Sequence, residues 1–70
     1  MGKTLTILLN GKPVEVDPET TVGRLVDRAV PDRSRVAVEC NREIVLRGDY
    51  DATAVEEGDR IEIVTLMGGG

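Results

Sequence analysis

Only one stretch of the sequence has the spacing of an amphipathic helix. Pro31 disfavours helical geometry at Val30, and Thr20 or Thr21 can cap the opposite end. The pattern predicts a single helix of about two and a half turns, with Leu25 the most buried residue of its apolar face. The apolar positions fall at i, i+3, i+4 and i+7: Val22, Leu25, Val26 and Ala29. A chain with one helix must build the rest of its core from strands.

The remaining apolar residues mostly alternate with polar ones, which is typical of half-buried strands. Asn10-Gly11 favours a tight hairpin between the first two strands, and Pro13, which lacks an N–H, places the second strand at a sheet edge. Asn41-Arg42 is expected to turn the chain between the third and fourth strands. Residues 48–55 have no clear period and predict an irregular crossing segment with one helical turn around Tyr50. The predicted strands are residues 4–9, 13–17, 36–40, 44–46 and 60–66.

These elements fit a two-layer α+β domain, in which one helix packs on one face of a mixed five-stranded sheet. The ubiquitin-like β-grasp fold has this order of elements, with its first and last strands parallel and adjacent at the centre. We expect residues 1–66 to form the β-grasp domain and residues 67–70 to form a flexible C-terminal glycine tail.

The composition excludes several classes of function. A net charge of −4 and a single aromatic residue, Tyr50, argue against a nucleic-acid interface. With no His and one Cys, the chain cannot assemble a Cys/His zinc cluster or a Ser-His-Asp triad. We therefore expect no metal, no bound cofactor and no catalysis by the chain itself. Cys40 cannot form an internal disulfide, and no long apolar run suggests a leader or a membrane span, so a cytoplasmic location is expected.

The sequence ends in three glycines, Gly68, Gly69 and Gly70, just after the last predicted strand. A backbone without Cβ atoms can lie extended in a channel too narrow for side chains. The C-terminal carboxylate is ionised at neutral pH and is a poor electrophile. A partner could activate it by joining it to AMP from ATP, after which a sulfur nucleophile could displace AMP and leave a thiocarboxylate. Gly70 is therefore the candidate reactive residue.

A set of segments in this order resembles the thiamine-biosynthesis sulfur carrier family (ThiS). The resemblance spans nearly the whole chain and includes its glycine end. The matching segments are Ile7-Leu8-Leu9-Asn10-Gly11, Thr20-Thr21-Val22 with Leu25, Val36-Ala37-Val38-Glu39 with Asn41, Ile44-Val45 with Arg47, Glu57-Gly58-Asp59-Arg60-Ile61-Glu62-Ile63-Val64, and Gly68-Gly69-Gly70.

The resemblance implies a sulfur carrier that is adenylated at Gly70 by a ubiquitin-activating-type adenylyltransferase. A sulfurtransferase would supply the sulfur, and thiazole synthase would accept it from the thiocarboxylate. ATP would be consumed by the activating partner. Two alternatives stay open: the small subunit of a molybdopterin synthase, or a ubiquitin-like modifier conjugated to lysines through Gly70.

The alternation also predicts a partner surface. If Ile61 and Ile63 face the helix, then Val64 and Leu66 face the opposite side of the sheet. Leu8 on the first strand points to the same side. We expect an apolar binding patch at the root of the glycine tail, with acidic side chains at its rim. The patch is formed by Leu8, Val64, Leu66 and Met67, and the binding surface continues through Gly68 and Gly69. Cys40 is expected to be an ordinary thiol that ends the third strand.

Overall fold

The computed structural model describes residues 3–66. Within that range it confirms the predicted order of elements and the α+β fold. Two short 3-10 segments, Arg33–Arg35 and Arg47–Ala52, connect the regular elements, and the second contains Tyr50 as predicted. The regular elements are β1 (Leu5–Leu9), β2 (Lys12–Val16), α1 (Val22–Ala29), β3 (Val36–Cys40), β4 (Glu43–Val45) and β5 (Arg60–Thr65). Met67 and the three glycines lie outside the described residues.

The strands form one sheet in the order β2-β1-β5-β3-β4. β1 and β5 are parallel, with Leu8 opposite Arg60 and Leu9 opposite Ile61, while the other neighbours are antiparallel. The predicted central pair of first and last strands is therefore confirmed. β2 lies at one edge, as the missing N–H of Pro13 predicted.

Two hairpins with two-residue turns set the register of the outer strands. Asn10 and Gly11 have φ values of 52° and 84°, and Asn41 and Arg42 have 53° and 72°. These values belong to type I′ turns, whose twist matches that of the flanking strands. Asparagine tolerates the left-handed region better than most residues, which explains its place at the first position of both turns.

The helix begins where the sequence predicts. The Thr21 hydroxyl accepts a hydrogen bond from the Arg24 N–H at 3.2 Å, and the chain turns extended at Val30. Two expectations about its buried face are wrong: Val22 and Val26 are 0 % exposed against 3 % for Leu25, and Ala29 is exposed. Ala29 is the last helical residue and borders an open groove beside β2, so the sheet does not cover it.

A charged clamp ties the helix to both 3-10 segments. Arg33 donates to the carboxylates of Asp27 and Asp51, each at 2.8 Å at its shortest, and its guanidinium lies 6.0 Å from the centre of the Tyr50 ring. Hydrogen bonds from Arg33 hold the pKa values of both carboxyl groups below their ordinary value. The clamp passes against Gly23, where a Cβ would overlap the Asp51 carboxylate.

The core lies between α1 and one face of the sheet. Tyr50, the single aromatic residue, is buried in it with Ile7, Ile61 and Val38. Among residues 3–66, no helix has the length and apolar character needed to cross a membrane.

Truncating the centre of this core should be costly. We expect Leu25→Ala to lower the free energy of unfolding by about 2–5 kcal/mol, because it removes buried methyl groups and leaves a cavity. Urea unfolding followed by circular dichroism measures the loss. Arg28→Ala, on the exposed side of the same helix, should change stability by less than about 0.5 kcal/mol. Equal effects of the two substitutions would contradict the assigned buried face.

Candidate functional site

β5 is the strand that leads into the glycine tail, so its surroundings define the part of the site that the structure describes. On one side it pairs with β3, from Cys40 opposite Ile61 to Val36 opposite Thr65. One residue later, the Leu66 N–H donates to the Arg35 carbonyl at 2.6 Å. β3 and the residue before it, Arg35, therefore hold the chain by hydrogen bonds up to Leu66, the last described residue.

On its other side, β5 is held by β1 and by one side chain. The backbone N–H groups of Leu8 and Asn10 donate to the carbonyls of Asp59 and Ile61, both at 2.9 Å. The side-chain amide of Asn10 continues this pattern: its Oδ1 accepts from the Ile63 N–H at 2.8 Å, and its Nδ2 donates to the Ile63 carbonyl at 3.3 Å. The sequence pattern at Asn10-Gly11 predicted the turn but not this side-chain contact with Ile63.

The start of β5 is held in a similar way by Asn41. Its Oδ1 accepts from the Arg60 N–H at 2.9 Å, and its Nδ2 donates to the Asp59 carboxylate at 3.0 Å. The other oxygen of Asp59 accepts from the Glu56 N–H at 2.8 Å. Asparagines from the two type I′ turns thus hold β5 at its first residue and at Ile63, its fourth.

The sheet face opposite the helix carries exposed apolar side chains. Val64 and Leu66 are 53 % and 49 % exposed, as the alternation predicted, and Ile44 and Leu46 on and after β4 are 64 % and 66 % exposed. The register links them, because Ala37 faces Val64 across β3 and β5, and Ala37 lines one groove with Ile44 and Leu46. We call Ile44, Leu46, Val64 and Leu66 the apolar patch.

The structure does not bring Leu8 together with this patch. Leu8 is half-buried and lies opposite Arg60, four residues before Val64, which corresponds to about 13 Å along the strand. It lines a shallow groove with Arg42 and Arg60 instead. Sequence reasoning missed Ile44 and Leu46, although the two-residue Asn41-Arg42 turn places Ile44 directly opposite Glu39 and so on the outer face.

The end of the patch nearer the two hairpin turns is charged. Glu39 and Glu62 face each other across β3 and β5, and with Arg42 and Arg60 they line one groove. The rim therefore carries both signs of charge, where an acidic rim was expected. A polar rim around an apolar centre is the usual composition of a protein–protein interface.

Cys40 is half-buried beside Asp59, with Sγ 3.9 Å from Oδ2. Burial, and next the negative charge of Asp59, raise the pKa of the Cys40 thiol. The thiol therefore stays protonated at neutral pH and is a weak nucleophile. Among residues 3–66, no group of three or more His, Cys, Asp or Glu side chains could hold a metal ion.

Comparison with known proteins gives a consistent result. The ThiS family model matches residues 7–70. A crystal structure of the thiamine biosynthesis protein ThiS from Geobacter metallireducens superposes with a TM-score of 0.77 at 38 % identity, covering 94 % of this chain and 100 % of that one. A solution structure of a thiamine biosynthesis protein from the same organism gives 0.76 at the same identity, covering 94 % and 88 %.

Curated relatives include longer proteins. The chain is 38 % identical over 66 residues to a thiazole synthase of Paramagnetospirillum magneticum and 39 % identical over 66 residues to one of Magnetococcus marinus. In both cases the similar segment makes up 94 % of this chain and only 20 % of the relative. An uncharacterized protein of Porphyra purpurea, ycf40, is 26 % identical over 100 % of this chain and 99 % of its own length.

The environment of Cys40 predicts slow alkylation. Because the thiol pKa is raised, the thiolate fraction at pH 7 is smaller than in free cysteine, and the midpoint of the pH–rate profile with iodoacetamide should lie above that of free cysteine. Asp59→Asn removes a facing negative charge and should move the midpoint down. Glu19→Gln, in an exposed turn, should leave it in place. Since Cys40 is the single cysteine, intact mass reports its alkylation directly.

Proposed function

The chain belongs to the ThiS family, and from this we propose that it is a sulfur carrier of thiamine biosynthesis that works through the carboxylate of Gly70. The observation that carries the proposal is that the family match continues through β5 to residue 70, so it includes the glycine end. The likeness to a ThiS structure over 94 % of the chain supports the same function.

The proposed reaction begins with activation of the carboxylate. One of its oxygens attacks the α-phosphorus of ATP, pyrophosphate leaves, and an acyl-adenylate forms at Gly70. Sulfide supplied through a sulfurtransferase attacks the acyl carbon, AMP leaves, and a thiocarboxylate remains. Thiazole synthase is the proposed acceptor of this sulfur, in keeping with the two relatives that bear that name and include a segment similar to this chain.

The catalytic groups for these steps are proposed to come from the partner enzymes. The chain has no His, and its single thiol has a raised pKa and lies beside a carboxylate, which disfavours a second charge at that place. We therefore propose that the chain is a substrate for its partners. Its own contribution is to present Gly70, together with Gly68 and Gly69, which fit a narrow channel.

The apolar patch is the proposed docking surface for the ubiquitin-activating-type adenylyltransferase. Val64 lies on β5 and Leu66 directly follows that strand, so both come shortly before Met67 and the glycines in the sequence. All four side chains of the patch are about half exposed or more, on a sheet face that nothing among residues 3–66 covers with a second layer. Burying them would release water from apolar surface, which drives association.

The tail is tested first by extending it. A variant with one unprocessed alanine after Gly70 should fold normally and fail to gain sulfur, because its reactive carboxylate is displaced by one residue. The wild-type protein, incubated with the activating enzyme, ATP and a sulfur source, should gain about 16 Da by intact-mass spectrometry as oxygen is replaced by sulfur. Full loading of the extended variant would contradict the role of Gly70. Isopeptide-linked remnants on lysines of other proteins would identify a modifier instead.

The docking surface is tested by adding charge to it. Leu46→Lys with Val64→Lys should leave the circular dichroism spectrum unchanged and weaken binding to the activating enzyme by more than about tenfold, since buried apolar anchors dominate interface energies. Ala29→Lys with Thr4→Lys adds the same charge at exposed positions away from the patch and should have little effect. Equal affinities for the two double variants, measured by calorimetry, would place the docking surface elsewhere.

A further inference from the structure

Asn10 makes contacts that its turn does not require. A type I′ turn needs positive φ at its two central residues, and glycine meets that need at either position. An asparagine at Asn10 adds a side-chain amide, and both of its polar ends are bound to the backbone of Ile63. The side chain therefore makes the hydrogen bonds to β5 that the backbone of one more β1 residue would otherwise make.

The position of this contact along β5 is informative. β1 pairs with β5 only as far as the Asn10 N–H and the Ile61 carbonyl, because the chain then turns into β2. Without the Asn10 side chain, β5 from Ile63 onward would be hydrogen-bonded on the β3 side alone. Ile63 lies four residues before Met67. The Asn10 amide is therefore hydrogen-bonded to β5 a short distance along the chain from the glycine tail.

We propose that Asn10 is a positioning residue for the tail: its side-chain amide holds the second half of β5 on the β1 side and so sets the direction in which the chain leads to Gly70. On the β3 side the same task falls to the Arg35 carbonyl, which binds the Leu66 N–H. This inference rests on the proposed function. Since Asn10 lies outside the apolar patch, a substitution of Asn10 tests the alignment of the tail without changing the proposed docking surface.

Asn41 offers a matched control. It too is the first residue of a type I′ turn, is exposed, and binds a backbone N–H of β5 through its side-chain oxygen. Its contact is with Arg60, at the start of the strand and far from the tail. Asn10→Gly and Asn41→Gly therefore keep both turns. Each removes two side-chain hydrogen bonds: those of Asn10 to Ile63 in the second half of β5, and those of Asn41 to Asp59 and Arg60 at its start.

The experiment measures ATP–pyrophosphate exchange by the activating enzyme, with the carrier as the varied substrate. Asn10→Gly should lower kcat on the order of tenfold with KM little changed, because a misaligned acyl group reacts slowly once bound. Asn41→Gly should leave both constants near those of the wild type. Amide hydrogen exchange of the free proteins should show protection at Ile63 falling about tenfold in Asn10→Gly and staying unchanged in Asn41→Gly.

An unchanged kcat for Asn10→Gly, an equal loss for both variants, or unchanged Ile63 protection would overturn the proposal. If Asn10→Gly does not fold, Asn10→Asp replaces it: this variant keeps the acceptor for the Ile63 N–H and loses the donor to the Ile63 carbonyl, so its kcat must still fall. An absence of exchange with the wild-type protein would instead refute the proposed function. The hydrogen-exchange comparison alone would then decide whether Asn10 holds the strand.

Discussion

The parallel pairing of β1 and β5 at the centre of the sheet is the constraint on which the rest of the fold depends. Parallel neighbours cannot be joined by a tight turn, so the chain between them must return to the same end of the sheet. Residues 10–59 make this return: β2 runs back along β1, α1 covers one face, and β3 and β4 extend the sheet beyond β5. Because the last strand is central, it is hydrogen-bonded on both sides as far as Ile63, on the β1 side through the Asn10 side chain, and on the β3 side alone from there to Leu66.

Features fixed by local backbone preference could be predicted from the sequence. The Asn10-Gly11 turn, the Thr21 cap and the alternation of Ile61 and Ile63 each depend on residues within a few positions of one another. The Arg33 clamp could not be predicted in this way, because Asp51 lies 18 residues from Arg33 and is brought to it only by the packing of two irregular segments. The need for glycine at position 23, where a Cβ would overlap the Asp51 carboxylate, could not be predicted from the sequence for the same reason.

The candidate site was predicted only in part, because the alternation of residues gives the sheet face of a side chain but not its position along the sheet relative to other strands. A period of two places Leu8 and Val64 on the same face but does not say how far apart they lie along it. That distance depends on the parallel pairing of Leu8 with Arg60, which has no short turn to fix it. Across the β3–β4 hairpin the turn does fix the register, so Ile44 could have been assigned to the outer face. The role of Gly70 stays a prediction, since it lies outside the described residues.

Under the proposed function, in which partner enzymes supply the chemistry, the chain must present one atom accurately from a small domain. The residues best placed to help are those already required by the fold, because a short chain has few positions to spare for a separate support. The two turns of this sheet need residues that tolerate positive φ, which glycine and asparagine both do. Asparagine at position 10 meets the backbone requirement and also reaches across to Ile63. In this way the turn that ends β1 extends its hold on the strand that leads to the tail.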